Sequence, residues 1–127
     1  MGRWDKIEKA ARKNGVVAAD ELVQACGLSM GTTVQNPDGS HHRDMQRHAL
    51  IVTDINVHAI RMGSAGFKSL KETLFSLPRD QLEFTREGKS VVFNKVDRSQ
   101  VWSFAGAPLG NGFDGVAEAM SDRSAPA

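Results

Sequence analysis

The chain has 127 residues, of which 40% are hydrophobic and 24% are charged, a composition typical of a folded domain and unlike that of a disordered chain. This length suits one compact domain and is too short for two of ordinary size. The 16 basic and 15 acidic residues give a net charge of +1, which argues against a dedicated nucleic-acid-binding protein because such proteins are usually strongly basic.

A helix is predicted over residues 3–14 at the start of the chain. Trp4, Ile7 and Ala11 recur at helical spacing on one face, and Asn14-Gly15 is a typical helix stop. We expect Trp4 and Ile7 to contact either a second copy of the chain or the rest of the same domain.

The same helix is basic, with five basic and two acidic residues. Its exposed lysines, including Lys6 and Lys9, are candidate binding residues. An amphipathic helix of this kind is found on membrane surfaces, but it is also the usual form of a helix that packs on a domain. The packing interpretation is preferred, and docking on an anionic membrane is the alternative.

Residues 20–27 are predicted to form a first strand, which holds Cys26. Since Cys26 is the only cysteine, the chain has no internal disulfide and no cysteine-based zinc site, and a buried, inert thiol is expected. The stretch 29–47 that follows is polar and contains Asn-Pro and Asp-Gly turn signals, so a long loop is predicted there.

From His48 onward the pattern changes to short apolar strands separated by polar turns. Such spacing is typical of an antiparallel meander. The predicted strands are residues 48–53, 55–62, 73–77, 82–85, 90–96 and 100–104, which places all strands between residues 20 and 105.

A second helix is predicted over residues 112–121. Phe113, Val116, Ala117 and Met120 form a single apolar stripe in it. Asn111 and Asp114 have the spacing of a capping box at its first turn, in which each side chain bonds the other's backbone.

Three short segments give the chain a resemblance to a known family. The run from Ala49 to His58, with its Thr-Asp between two apolar stretches, resembles a hairpin of bacterial pleckstrin-homology-like (PH-like) proteins. Leu77–Leu82 is similar to that family's proline-containing link, and Trp102–Phe104 to its last strand. The resemblance covers about residues 20–121.

This resemblance implies a single PH-like domain over residues 1–127. The expected fold is mainly β: a bent antiparallel barrel of about seven strands, capped by the C-terminal helix and carrying an extra helix at the N-terminus. It also implies an interaction module and not an enzyme.

Candidate catalytic and metal-binding groups are weak. His41, His42 and His48 are close in sequence, but their spacing is not that of zinc ligands, so solvated histidines are expected. Glu83 and Glu87 fit a solvated hairpin, and no nucleophile elbow, phosphate loop or dinucleotide fingerprint occurs. We therefore predict no catalytic residue, no metal and no cofactor.

The best binding candidates lie in or beside the predicted loop: His41, His42, Arg43, Arg47 and His48. In lipid-binding members of the PH superfamily, basic residues of the corresponding loop bind inositol phosphates. Here the two arginines are balanced by two aspartates between residues 38 and 48, which disfavours that role.

The preferred function is an interaction module that contacts another protein or assembles with itself, since open sheet edges accept an added strand. A peripheral membrane-binding domain is the alternative, and a small-ligand-binding domain is the second alternative. No stretch approaches the roughly 18 apolar residues of a membrane span, and charges stand where a signal peptide has its apolar core, so a cytoplasmic location is expected.

Overall fold

The computed structural model describes residues 3–63, 70–106 and 111–122. Two helices, eight strands and one 3-10 turn, Arg79–Gln81, lie in this part of the chain. In chain order the helices and strands are α1 (Arg3–Lys13), β1 (Val23–Gln35), β2 (His41–Asp44), β3 (His48–Thr53), β4 (Asn56–Met62), β5 (Leu70–Pro78), β6 (Leu82–Glu87), β7 (Ser90–Lys95), β8 (Val101–Gly106) and α2 (Phe113–Asp122).

The strands form one antiparallel sheet in which β1 is central. The order is β5–β4–β3–β1–β8–β7–β6, and β2 pairs with β1 beside this path. The first half of β1 pairs with β3 and its second half with β8, and the register to β8 shifts between Ser29 and Gly31. Such a bulge bends a strand, so β1 passes from one half of the sheet into the other.

Ser29 stabilises this bend from inside. Its hydroxyl is buried, with Oγ 2.8 Å from the carbonyl oxygen of Gly31 and 3.1 Å from that of Ala105. The Gly31 N–H donates to the same Oγ at 3.2 Å. The serine therefore satisfies polar backbone groups that the bulge leaves without strand partners.

An inner core fills the space between the two halves of the sheet. The Phe75 ring of β5 lies 4.3 Å from the Trp102 ring of β8, centroid to centroid, and joins the halves directly. The apolar stripe of α2 closes the same core with Phe113, Val116 and Met120. The predicted mainly β fold, an antiparallel sheet with a C-terminal capping helix and an extra N-terminal helix, is thus confirmed.

A second, outer cluster lies on the opposite face of β1, β3 and β4, where α1 packs. Ile7 and Ala11 of α1 are fully buried against side chains that include Ile51 and Ile60. Every residue of β3 is buried, because alternate side chains enter the inner core and the outer cluster. The predicted packing of the helix on its own domain is therefore observed.

Cys26 belongs to the outer cluster and is buried, as expected. Burial, reinforced by the negative charges of Glu8 and Asp5, raises the pKa of its thiol to about 12. A thiol that keeps its proton is a poor nucleophile, so the expected inert role fits its surroundings.

The prediction of a long loop over residues 29–47 was wrong. β1 continues to Gln35, and β2 returns along it. Thr32, Thr33 and Val34 are β-branched and alternate between inner and outer faces, which suits a strand. The described residues therefore hold eight strands and not about seven, because β2 lies in the stretch that was predicted as a loop.

The start of α2 agrees in part with the predicted capping box. Asn111 Oδ1 accepts a hydrogen bond from the Phe113 N–H at 2.9 Å, as predicted. The Asp114 carboxylate instead accepts from Arg86 Nη1 at 2.8 Å. Between them Gly112 has a φ of +73°, and a Cβ there would lie 2.3 Å from the carbonyl oxygen of Cys26, so only glycine fits.

Candidate functional site

Most of the predicted binding residues lie on the hairpin that β1 and β2 form, residues 30–45, here called the β1–β2 hairpin. Its tip is the predicted Asn-Pro-Asp-Gly turn: Asn36 N–H donates to the Ser40 carbonyl at 2.8 Å, and Gly39 has a φ of +88°. Asp38 Oδ1 accepts from the Ser40 N–H at 2.8 Å and from its hydroxyl at 2.5 Å. These bonds hold the turn in the form that closes a hairpin.

Among the residues that the structure describes, no strand pairs with the outer side of β2, which is called its free edge here. In an antiparallel pair, residues alternate between those that bond the partner strand and those whose backbone groups point away. Because Asn36 and Ser40 bond each other, and Thr33 lies opposite Arg43, the alternation makes His41 and Arg43 point their N–H and C=O groups away from β1. Within the described ranges, β2 pairs only with β1.

The side chains of His41, His42 and Arg43 are exposed on this hairpin. Arg43 forms no ion pair with a carboxylate of the described residues. It lies at a shallow cleft of about 360 Å³ on the outer face of the sheet, and this cleft is lined by Met30, Gly31, Thr32, Thr33, Arg43, Met45, Ser90, Ser103 and Ala105.

Two exposed methionines flank this cleft, and sequence reasoning missed both. Met30 is 42% exposed and Met45 is 71% exposed. Unbranched, polarizable methionine side chains adapt to varied partners and are common at binding surfaces. The signal in the sequence was two methionines inside an otherwise polar stretch.

His48 is a correction, because it is only 1% exposed and does not reach the surface. Its Nδ1 lies 3.0 Å from Thr32 Oγ1 and 3.2 Å from the Gln46 carbonyl oxygen. Burial lowers the pKa of His48, and the nearby Asp44 carboxylate opposes this only in part. The buried, hydrogen-bonded ring supports the base of the hairpin, and it is not one of the solvated histidines that were expected.

Arg47 also supports the base of the hairpin. It is half-buried, and its Nη2 lies 3.5 Å from the Gly63 carbonyl oxygen, just after β4. It therefore connects the hairpin to the neighbouring strand, whereas Arg43 faces solvent.

The candidate residues on α1 lie on a separate part of the fold. Lys6 and Lys9 are exposed, whereas Trp4 is half-buried against Gly112 and the outer cluster. α1 packs on the first half of β1, and the hairpin is built from the second half. No helix in the described ranges is long and apolar enough to cross a bilayer.

The histidines do not gather into one site. His41 and His42 are on the hairpin, His48 is inside its base, and His58 lies on β4 under the segment before β1. Across residues 3–63, 70–106 and 111–122, no three histidine, cysteine, aspartate or glutamate side chains are arranged to hold a metal ion.

A larger cleft of about 660 Å³ lies beside the 3-10 turn and is lined by Gln24, Asp54, Ile55, Asn56, Pro78, Arg79 and Asp80. Arg79 is buried, and its Nη1 donates to Gln24 Oε1 at 2.6 Å and to the Thr53 carbonyl at 2.8 Å. Its Nη2 donates to the carbonyl of Ala119 near the end of α2. A cation suits a helix C-terminus, so this arginine holds α2 to the sheet.

A buried carboxylate, Glu21, organises a polar cluster that sequence reasoning also missed. Its Oε1 accepts from Thr53 Oγ1 at 2.8 Å, Asn56 Nδ2 at 3.0 Å and His58 Nε2 at 2.8 Å. Its Oε2 accepts from the Ala18 N–H at 2.7 Å. The four donors come from three separate segments of the chain, so they join the loop after α1 to β3 and β4.

Burial raises the pKa of Glu21, but hydrogen bonds from Ala18, His58, Asn56 and Thr53 together outweigh it and lower the pKa from 4.5 to about 2. A carboxyl group with a lowered pKa in the folded state stabilises the fold above its unfolded pKa. This contribution is lost as the pH falls from about 4.5 through about 2.

We therefore expect the free energy of unfolding to fall across this acidic window, as measured by urea denaturation at a series of pH values. Glu21→Gln has no carboxyl group at this position and is expected to show a shallower decline over the same window. Equal slopes for the two proteins would show that Glu21 does not contribute.

Comparison with known proteins gives a weak structural likeness. No family model matches the chain, and no curated protein matches it. A solved structure from a study of the PH and C1 domains of the Vav1 exchange factor is similar over 82% of this chain, with 10% sequence identity and a TM-score of 0.49. The chain covers only 27% of that structure's length, and the fold class rests on the topology and packing described above.

Proposed function

We propose that this chain is a non-enzymatic PH-like interaction module that binds an extended segment of another protein, or of a second copy, at the free edge of β2. The observation that carries the proposal is the outward direction of the backbone groups of His41 and Arg43. An added strand would pair with those groups through main-chain hydrogen bonds, which give affinity whatever the sequence of the partner.

The side chains beside this edge favour a particular chemistry in the partner. Met30 and Met45 offer adaptable apolar contacts. Arg43, free of ion pairs with described carboxylates, suits a partner carboxylate because a guanidinium binds it through two parallel hydrogen bonds. We expect the bound segment to carry apolar residues and an acidic residue on the face that meets the cleft.

The packing of α1 favours this function over peripheral membrane binding. A helix that binds a membrane surface inserts its apolar face among the lipids. In α1 that face is already in use, because Ile7 and Ala11 are fully buried in the outer cluster. What α1 leaves for a partner is its charged face, with Lys6 and Lys9 exposed.

We expect Arg43→Pro to weaken association of the chain with itself or its partner by at least about tenfold, equivalent to about 1.4 kcal/mol. Proline removes the N–H that points to the free edge and blocks an added strand, but it costs no bond to β1. Sedimentation velocity over a concentration series measures self-association, and a pull-down compares partner recovery.

Arg43→Ala is the matched control, because it removes the guanidinium and keeps the backbone N–H. We expect it to bind more weakly than the wild-type chain and more strongly than Arg43→Pro. Two results together would contradict the proposal. The wild-type chain would stay monomeric, and the pull-down with Arg43→Pro would recover the same partners as the pull-down with the wild-type chain.

A further inference from the structure

Ser76 is an exposed residue of β5 whose hydroxyl contacts a buried histidine. β5 is at one end of the strand path, and Ser76 lies directly opposite His58 in the pairing of β5 with β4. The two side chains meet, with Ser76 Oγ 2.7 Å from His58 Nδ1. The serine faces solvent, whereas the His58 side chain is 3% exposed.

The other ring nitrogen of His58 faces Glu21 and thereby fixes the positions of the protons. The Glu21 carboxylate, with a pKa of about 2, is ionised at neutral pH and can only accept hydrogen bonds. His58 Nε2 must therefore carry the proton that Glu21 Oε1 accepts at 2.8 Å. In the tautomer with its proton on Nε2, Nδ1 has a free lone pair, which accepts the hydrogen bond from the Ser76 hydroxyl at 2.7 Å.

Three further hydrogen bonds to Glu21 hold this arrangement in place. Thr53, Asn56 and the Ala18 N–H all donate to Glu21, so the carboxylate cannot turn away from His58. A hydroxyl, an imidazole and an oriented carboxylate joined in sequence are the groups that activate a serine in unrelated hydrolases, where they are identified by geometry and role. Here the nucleophile uses Nδ1 and the carboxylate uses Nε2.

We propose that Ser76 is a site of covalent acylation by activated esters of small carboxylic acids. Ser76 Oγ attacks the carbonyl carbon, the new Oγ–C bond forms, and the bond from that carbon to the leaving oxygen breaks. His58 Nδ1 takes the hydroxyl proton and passes it to the departing alcohol or phenol. The products are O-acyl-Ser76 and one free alcohol or phenol, and no oxidant or cofactor is consumed.

This site lies on the β4–β5 half of the sheet and is independent of the β1–β2 hairpin. One acylation per chain needs no turnover, so the reactivity is compatible with a binding module. Access differs across the three groups: an ester reaches Ser76 from solvent, whereas Glu21 and His58 are buried and only hold or move the proton.

The test is reaction of the full chain with p-nitrophenyl acetate, followed by release of p-nitrophenol and by peptide mapping of the acetyl group. Ser40 is an internal control, because it is also exposed and its hydroxyl bonds a carboxylate, Asp38, but no histidine. We expect Ser76 to be acetylated at least about 100-fold faster than Ser40, the lower end of what a positioned general base supplies.

Variants separate the role of the buried His58 from simple exposure of a serine. The fast phase is the release of p-nitrophenol that accompanies acetylation of Ser76. Ser76→Ala should abolish this phase, Ser40→Ala should leave it unchanged, and His58→Gln should slow it by at least about 100-fold. Circular dichroism checks the fold of each variant, and the comparison of Ser76 with Ser40 inside the wild-type chain needs no variant. Equal rates at the two serines, or a fast phase that survives Ser76→Ala, would overturn the proposal.

Discussion

Replacement of Phe113 by alanine is expected to lower the free energy of unfolding by about 3–5 kcal/mol, the usual cost of emptying a buried aromatic site. The Phe113 side chain is fully buried where α2 closes the inner core. It lies directly on β1, since a Cβ at Gly27 would be 3.0 Å from its Cδ1. With sheet backbone beneath the ring, the cavity left by alanine has little room to collapse.

Urea denaturation measures this loss, and Glu118→Ala is the matched control in the same helix. Glu118 is exposed, so its removal should change the stability by no more than about 0.5 kcal/mol. A loss below about 1 kcal/mol for Phe113→Ala would show that the capping helix does not support the barrel.

Glu21→Ala is expected to destabilise the fold by about 3–5 kcal/mol as well, because it leaves several buried donors without an acceptor. The hydroxyl of Thr53, the amide of Asn56, the ring of His58 and the N–H of Ala18 all donate to this carboxylate. Alanine offers no acceptor to any of them. The variant should also lower the thermal midpoint.

Glu8→Ala is the control for the loss of a glutamate. Glu8 pairs with Arg12 at 3.0 Å, but both side chains are about one third exposed. Exposed pairs of this kind contribute about 0–1 kcal/mol, so the control should lose far less stability than Glu21→Ala. Similar losses in the two variants would mean that the buried cluster is not a main source of stability.

Local patterns were enough to predict most of the fold. Short apolar runs between polar turns marked β3, β4, β7 and β8, and the stripe from Phe113 to Met120 marked α2. The β1–β2 hairpin was missed because its inward positions include Thr32, a polar residue. Thr32 is nevertheless buried and bonded to His48, and a partner 16 residues away cannot be read from a local pattern.

The polar sites were harder to predict than the core, because their residues are far apart in the sequence. Glu21 and His58 are 37 residues apart, and Ser76 is 18 residues beyond His58. Only the pairing of β4 with β5 and the path of the loop before β1 bring them together. The turn at Asn36–Ser40 needed no such information, because its residues contact one another.

The two-sided burial of β3 limits what α1 can do. Ile51 of β3 belongs to the cluster that α1 covers, and its neighbours Leu50 and Val52 belong to the barrel core. A partner that pulled α1 away would uncover one face of the strand whose other face supports the barrel. α1 is thus a fixed part of the packed domain and does not detach to bind a partner. A ligand that approaches this side of the domain contacts the exposed lysines of α1.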